Sequence, residues 1–266
     1  VAEGDALLTE LVVAGAPLPF GISPEAMLSM MGELGGGAAA DGTELAKAPG
    51  IVRDSLLFPY VYGLPLAMNA YAGGGFAAVN ALLEDPPAST EQVMHPDKIG
   101  VDPPVAVAIA RPAGLATAYR VAGTDVLGEF GLRSWLSRWI PQEDAAAAAA
   151  GWGGDRYVFL WPQSTGVGDG HLDHGIIAIS TRWDPAAPSA SRSEAEEFEA
   201  ALGCYLDARF PGAAIEADGM TFAPIPGGDW AAIVREGDGV IYVEGVPASG
   251  WPDPAALIDE IAGRAG

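Results

Sequence analysis

Apolar residues recur at two different periods along this chain. Up to about residue 150 they fall three and four apart, the spacing of one helix face. From 152 to 247 they come in short runs of strand length. In the first region, "EGDALLTELVVAG" sets Leu7, Leu8, Leu11 and Val12 at helical spacing. "SPEAMLSMMGEL" begins with Ser23 as N-cap, Pro24 at the first helical position and Glu25 in the first turn. Gly35–Gly42 reads as a loose loop, and "GIVRDSLL" as a helix over Gly50–Leu57. "LPLAMNAYAGGGFAAVNALLED" reads as two helices around Gly73-Gly74-Gly75, and a short helical turn is expected after Ser89. "VAVAIA" is a short strand or extended run. "TDVLGEFGLRSWLSRWI" is an amphipathic helix with Val126, Phe130, Trp135, Leu136 and Trp139 near one side, and "QEDAAAAAAG" a helix stopped by Gly151.

In the second region, "DRYVFLWP" and "GIIAISTRWD" predict strands joined by the Gly-rich loop Gln163–His174. "SRSEAEEFEAALGCYLDARF" predicts a helix with acidic residues in its first turn, where the helix dipole favours them. "GMTFAPI", "WAAIVREG" and "GVIYVEGVP" are further strands, the last two a hairpin turning at Asp238-Gly239. "DPAALIDEIAGRA" is a final helix. The fold class expected is α+β, a helical region (1–150) packed with a mostly antiparallel sheet that carries a helix (151–266).

Charge and composition narrow the function classes. The net charge is −22, from 35 acidic against 13 basic residues, a surface that repels nucleic acid and anionic lipid. Apolar runs are broken well before the roughly 18 residues of a membrane span, so none is expected. The one cysteine, Cys204, excludes an internal disulfide or a multi-cysteine zinc site and is expected to be a buried structural thiol. The opening at Val1, with no methionine or leader, is what a processed chain would give. No Gly-x-Ser-x-Gly or dinucleotide-type glycine pattern is present.

Several residues have chemistry of their own. Glu3 opens a helix with the small neighbours Ala2, Gly4 and Ala6, which leave room for a second helix to approach. His171, Asp173 and His174 are metal-capable in a glycine-rich loop, at a spacing that gives at most a partial site. Glu129, on a mostly apolar helix, is expected to pair with Arg133 four residues on. Asp155 and Arg156 are expected to pair with neighbours at the start of the first strand.

The segments "VAEGDALL", "LLFPYVYGLPLAMNAYAGGGFAAVNALLEDPPASTEQVMHPDK", "LGEFGLRSWL" and "AAAAGWGGDRYVF" resemble a family of prokaryotic secreted or surface proteins with gluzincin-like zinc-metallopeptidase features. The resemblance covers about residues 1–160, and beyond them only "STRWD" and the hairpin with "VEG". Members carry a His-Glu-x-x-His helix upstream of a Glu-Gly-Asp-Ala helix. The resemblance implies that Glu3 is the third protein ligand to zinc and that Asp5 orients a ligating histidine. It implies that His95, Tyr60 or Tyr62 donates a hydrogen bond to the tetrahedral intermediate of peptide hydrolysis. His-Glu-x-x-His itself is absent, the histidines being His95, His171 and His174. Zinc is therefore expected only with upstream ligands. The expectation is the C-terminal portion of a secreted, surface or periplasmic zinc-peptidase-like protein, with a separate N-terminal fragment or chain covering Leu7–Val13 and a peptide substrate if active. The alternatives are a non-catalytic surface or binding protein derived from a degenerate peptidase, and a plain acidic ligand-binding domain.

Overall fold

A computed structural model describes residues 1–22, 26–27, 44–116, 118–163, 175–185, 191–212, 215–217, 220–225, 228–247 and 254–263. They form two compact units, Val1–Pro103 and Pro104–Gly266. The chain is α+β: the first unit is helical and the second is built on an antiparallel sheet. The division falls at 103/104 and not near 150. Residues 104–150 belong with the sheet because their helices feed its core: Leu132, Leu136, Ala145 and Ala148 share one cluster with Ile179, Ile233 and Tyr242.

In the helical unit, α1 (Ala2–Val13) packs on α3 (Gly63–Glu84), which follows α2 (Gly50–Val61) directly. A single turn of helix lies at Glu44–Lys47, and a short α4 (Thr90–Met94) follows α3. The contact of α1 with α3 is set by glycine. A Cβ on Gly4 would lie 2.1 Å from the Gly63 carbonyl oxygen, so only a residue without a side chain permits this approach. The approach buries Leu8 against Leu64, Ala67 and Met68, with Val79 in the same small core. Leu7, Leu11 and Val12 pack partly against it, and Val13 alone in this run stays open, at 83% exposure. Gly50–Glu84 is long and apolar enough to cross a membrane by length and composition. Its helix is interrupted, however: the chain turns at Tyr62, and Gly74 and Gly75 leave helical geometry, Gly75 at φ +63. No unbroken piece reaches the roughly 20 residues that span a bilayer. Ser89 N-caps α4 by accepting from the Gln92 N–H at 3.1 Å.

In the second unit the strands are β1 (Tyr119–Asp125), β2 (Trp152–Pro162), β3 (Ile176–Trp183), β4 (Ile215–Ala217), β5 (Met220–Ile225), β6 (Asp229–Glu236) and β7 (Gly239–Pro247). They lie in the order β1-β2-β3-β7-β6-β5-β4, every pair antiparallel. Both faces are covered, so the central strands are apolar on both sides. Ala231, Ile233, Val240 and Tyr242 face α5 (Gly128–Leu136), α6 (Gln142–Ala149) and α7 (Glu194–Arg209). Trp230, Ala232, Ile241 and Val243 face α8 (Pro254–Ile261) and Leu115. This period-two sorting is what the pleat dictates.

Of the two readings of "VAVAIA", strand or extended run, the strand falls away: its backbone makes isolated bonds, Val105 N–H to Gly153 O at 2.7 Å and Ala110 N–H to Ile261 O at 3.1 Å. Three sequence expectations are corrected here. The hairpin turns at Gly237-Asp238, since Glu236 pairs with Gly239, and Gly237 supplies the positive φ (+59) that a two-residue turn needs. The amphipathic helix is shorter than its pattern. Gly128 at φ +69 starts it and Ser137 ends it, so Val126 and Trp139 are exposed while Glu129, Leu132 and Leu136 are buried. Cys204 lies on the exposed side of α7. β1, an edge strand in which only Tyr119 is buried, has too little apolar signal to be read beforehand. Ser23–Glu25, the Gly35–Gly42 loop and the loop holding His171, Asp173 and His174 lie outside the described residues.

Candidate functional site

Two of the residues singled out by the sequence come together. Glu3 lies exposed in the first turn of α1, and Tyr60 lies near the end of α2. Their side chains interact: the Tyr60 pKa lies above its ordinary value, mainly through hydrogen bonding toward the Glu3 carboxylate, with burial and the Glu3 charge adding to it. Asp5 is half-buried and has Thr9, one turn along its own helix, at 3.5 Å. Tyr62 stacks at 5.1 Å on Phe58.

His95 ends α4. Its backbone N–H donates to Glu91 O at 2.7 Å, and its carbonyl accepts from Lys98 N–H at 2.9 Å. Around it the segment is held by polar contacts. Glu91, 1% exposed, accepts from Lys98 Nζ at 2.6 Å, and the same ammonium lies 3.0 Å from Asp102. The Gln92 side chain accepts from Ala88 N–H and donates to Asp102 O, each at 2.8 Å. The "ASTEQVMHPDK" stretch therefore has a structural purpose for its polar residues. A zinc site of the resembled kind needs three protein ligands. Among the described residues, Glu3, Asp5 and His95 form no metal-capable group. By themselves these residues do not supply the three ligands, so a zinc held here would need further ligands beside Glu3.

The sheet unit holds a second polar arrangement that the sequence reading missed. Glu244 on β7 accepts from Arg209 Nη1 and from the Tyr242 hydroxyl, both at 2.5 Å, with the Tyr205 hydroxyl at 3.5 Å. Arg209 Nη1 also donates to the Tyr205 oxygen at 2.5 Å. The guanidinium carbon lies 4.8 Å from the Phe210 ring centre, 5.4 Å from Tyr205 and 5.6 Å from Trp139. Trp135 closes the inner side against Tyr205 and Tyr242. Burial raises both phenols, Tyr242 strongly, so both are protonated donors at neutral pH. The signals existed in principle. Tyr205 and Arg209 stand one helical turn apart, and Tyr242 and Glu244 share a strand face.

Asp155 on β2 is a further buried carboxylate with a structural task. It accepts from the Leu127 and Gly128 N–H groups and from Trp152 Nε1, each at 2.8 Å, and so ties the start of α5 to the sheet. Burial nonetheless raises its pKa, outweighing these bonds and the Arg156 charge. Glu129 in the same helix is 2% exposed.

Fold and polar geometry together define an α+β protein whose antiparallel sheet is clad on both faces. Residues 117–253, just over half the chain, match the family described as Domain of unknown function (DUF8575), and the chain belongs to that family. The match includes Arg209 and Glu244 and leaves out Glu3, Tyr60, Tyr62 and His95. No curated protein and no solved structure matches the chain.

Proposed function

We propose that the helical unit supplies one half of a zinc-peptidase-like site in a secreted or surface protein. Glu3 is its third metal ligand and Tyr60 the group that orients Glu3, while the two histidines come from a His-Glu-x-x-His helix that these residues do not include. The chain by itself is not catalytically complete. The observation that carries this reading is the glycine contact that fixes the exposed first turn of α1 on α3, with the Tyr60 phenol interacting with the Glu3 carboxylate beside it. A glutamate ligand needs such a partner to hold its carboxylate on the metal. Asp5 serves the fold in this reading, because its contact with Thr9 is local.

The test is the zinc content of the polypeptide that carries the upstream histidine helix, measured by elemental analysis after dialysis against a weak chelator. One zinc per chain is expected. Glu3→Gln lowers zinc affinity by roughly 100-fold and Tyr60→Phe by about tenfold, the range known for ligand-supporting partners. Equal zinc in Glu3→Gln and the parent protein overturns the ligand assignment, as does a gene with no such helix ahead of Val1.

A second reading, a non-catalytic binding protein, is favoured by one separate observation. The family match lies on the sheet unit, where the Arg209 cluster stands partly open to solvent.

A further inference from the structure

Arg209 is held unusually firmly for a residue that solvent reaches. One nitrogen, Nη1, makes both of its hydrogen bonds, to Glu244 and Tyr205. Among the described residues, Nε and Nη2 make none. The rings of Trp139, Tyr205 and Phe210 surround the guanidinium, whose side chain is 25% exposed. A guanidinium presents its donors as a planar fork, and the Nε/Nη2 edge is one of the two that grip a carboxylate or phosphate at two points. Here one edge is anchored and the other is available.

Glu244 does not cancel this capacity. Its charge is shared with the Tyr242 hydroxyl at 2.5 Å as well as with Arg209. Beside the fork, the Trp139 indole is 49% exposed and offers apolar surface. A groove of about 310 Å³ between α6 and α7 is walled by Ile140 and Cys204, the chain neighbours of Trp139 and Tyr205. Ala147, Ala148, Ala200 and Ala201 share its lining with Asp144, Arg192 and Glu197.

The geometry points to Arg209 and Trp139 as a receptor for a monocarboxylate ligand with an apolar body. The carboxylate takes the Nε/Nη2 edge, and the body lies on Trp139. A single negative charge is favoured over phosphate because the protein carries −22, and each further ligand charge adds repulsion. This site lies wholly in the sheet unit and does not depend on the zinc reading.

The test is titration of the ¹⁵N-labelled full chain with N-acetyl-phenylalanine and with its amide, read on the indole N–H resonances. The chain has seven tryptophans, and Trp139→Phe assigns the one of interest. The free acid is expected to shift the Trp139 signal and to bind at least about tenfold tighter than the amide, the preference a two-point ion pair gives. Arg209→Lys brings the acid down to the level of the amide, because an ammonium has no planar fork. Trp139→Ala, at an exposed position, weakens acid binding in a folded protein. Acetyl-Ala-Ala-Phe binding tighter than the single residue identifies a peptide C-terminus as the ligand, and equal binding identifies a small organic acid. Equal affinity for acid and amide, no shift of Trp139, or tighter binding of inorganic phosphate than of the acid overturns the proposal. The comparison of acid with amide on the unaltered protein decides the matter even if Arg209→Lys fails to fold.

Discussion

Gly4 in the helical unit and Tyr242 in the sheet unit are both buried, for opposite reasons. Gly4 is buried because it has no side chain, and the Gly63 backbone occupies the place where one would be. Tyr242 is buried because it has a large one, clamped by Trp135, Tyr205 and Glu244. The helical unit gains cohesion by backbone proximity around a small cluster of Leu8, Leu64, Ala67, Met68 and Val79, with Leu56 and Val52 left exposed on α2. The sheet unit gains it from two larger layers, one on each face, the first rich in aromatic side chains and the second mostly aliphatic. Apolar burial contributes in proportion to area, so the sheet unit draws more of its cohesion from burial than the helical unit does.

Substitutions break or sharpen that contrast. The largest effect is expected for Phe198→Ala, which opens a cavity under Trp183 and costs about 3–5 kcal/mol by denaturant melting. Lys98→Met removes the ammonium beside the buried Glu91 and costs roughly 3 kcal/mol, confined to the helical unit and visible there by hydrogen exchange. Gly4→Ala forces a methyl into the Gly63 carbonyl and costs about 1–3 kcal/mol, although alanine is the better helix former. If Gly4→Ala stabilises the protein, the backbone contact is not what holds α1.

Asp155→Asn replaces one acceptor oxygen among three N–H donors and costs roughly 1 kcal/mol at neutral pH. The pH dependence has a definite sign. Burial raises the Asp155 pKa, so the native state binds this proton at a higher pH than the unfolded chain does. Its contribution to stability therefore grows as pH falls through the raised value toward the ordinary carboxylate range, and is lost as pH rises. The gap in melting temperature between the parent protein and Asp155→Asn should widen on acidification; a narrowing gap would mean that the three N–H bonds outweigh burial. The smallest effect is that of Ser193→Ala, about 1 kcal/mol, because it removes the Ser193 half of the capping box with Glu196 at the start of α7.

The legible parts of the sequence were those with a local cause. The acidic first turn marks the start of α7, Gly73–Gly75 marks the break in α3, and short apolar runs of strand length mark β6 and β7. The α+β class follows from these alone. The boundary near 103 was not legible, because α5 and α6 carry a helical pattern like that of the helical unit, and only the burial of Leu132 and Leu136 against sheet residues assigns them to the sheet. Of the site, the Glu3–Tyr60 pair was readable only as candidates, since the residues are far apart in sequence. The Arg209–Glu244 pair was missed because its partners lie 35 residues apart on a helix and a strand, and no local spacing predicts that meeting.

The two-sided sheet has a consequence for errors in its assembly. In a sheet with one wet face, a slip of one residue puts apolar side chains into water. Here both faces are dry, so a slip in β6 or β7 exposes little and instead exchanges the contents of the two layers. A slip of β7 would carry Tyr242 and Glu244 together into the layer of Leu257 and Ile258, where no Arg209 guanidinium meets the carboxylate, and Ile241 would take the place of Tyr242 beside Trp135. The Tyr242–Glu244–Arg209 contact thus acts as a proofreading mark on strand pairing, and it penalises a mis-sorted sheet that hydrophobicity alone would accept.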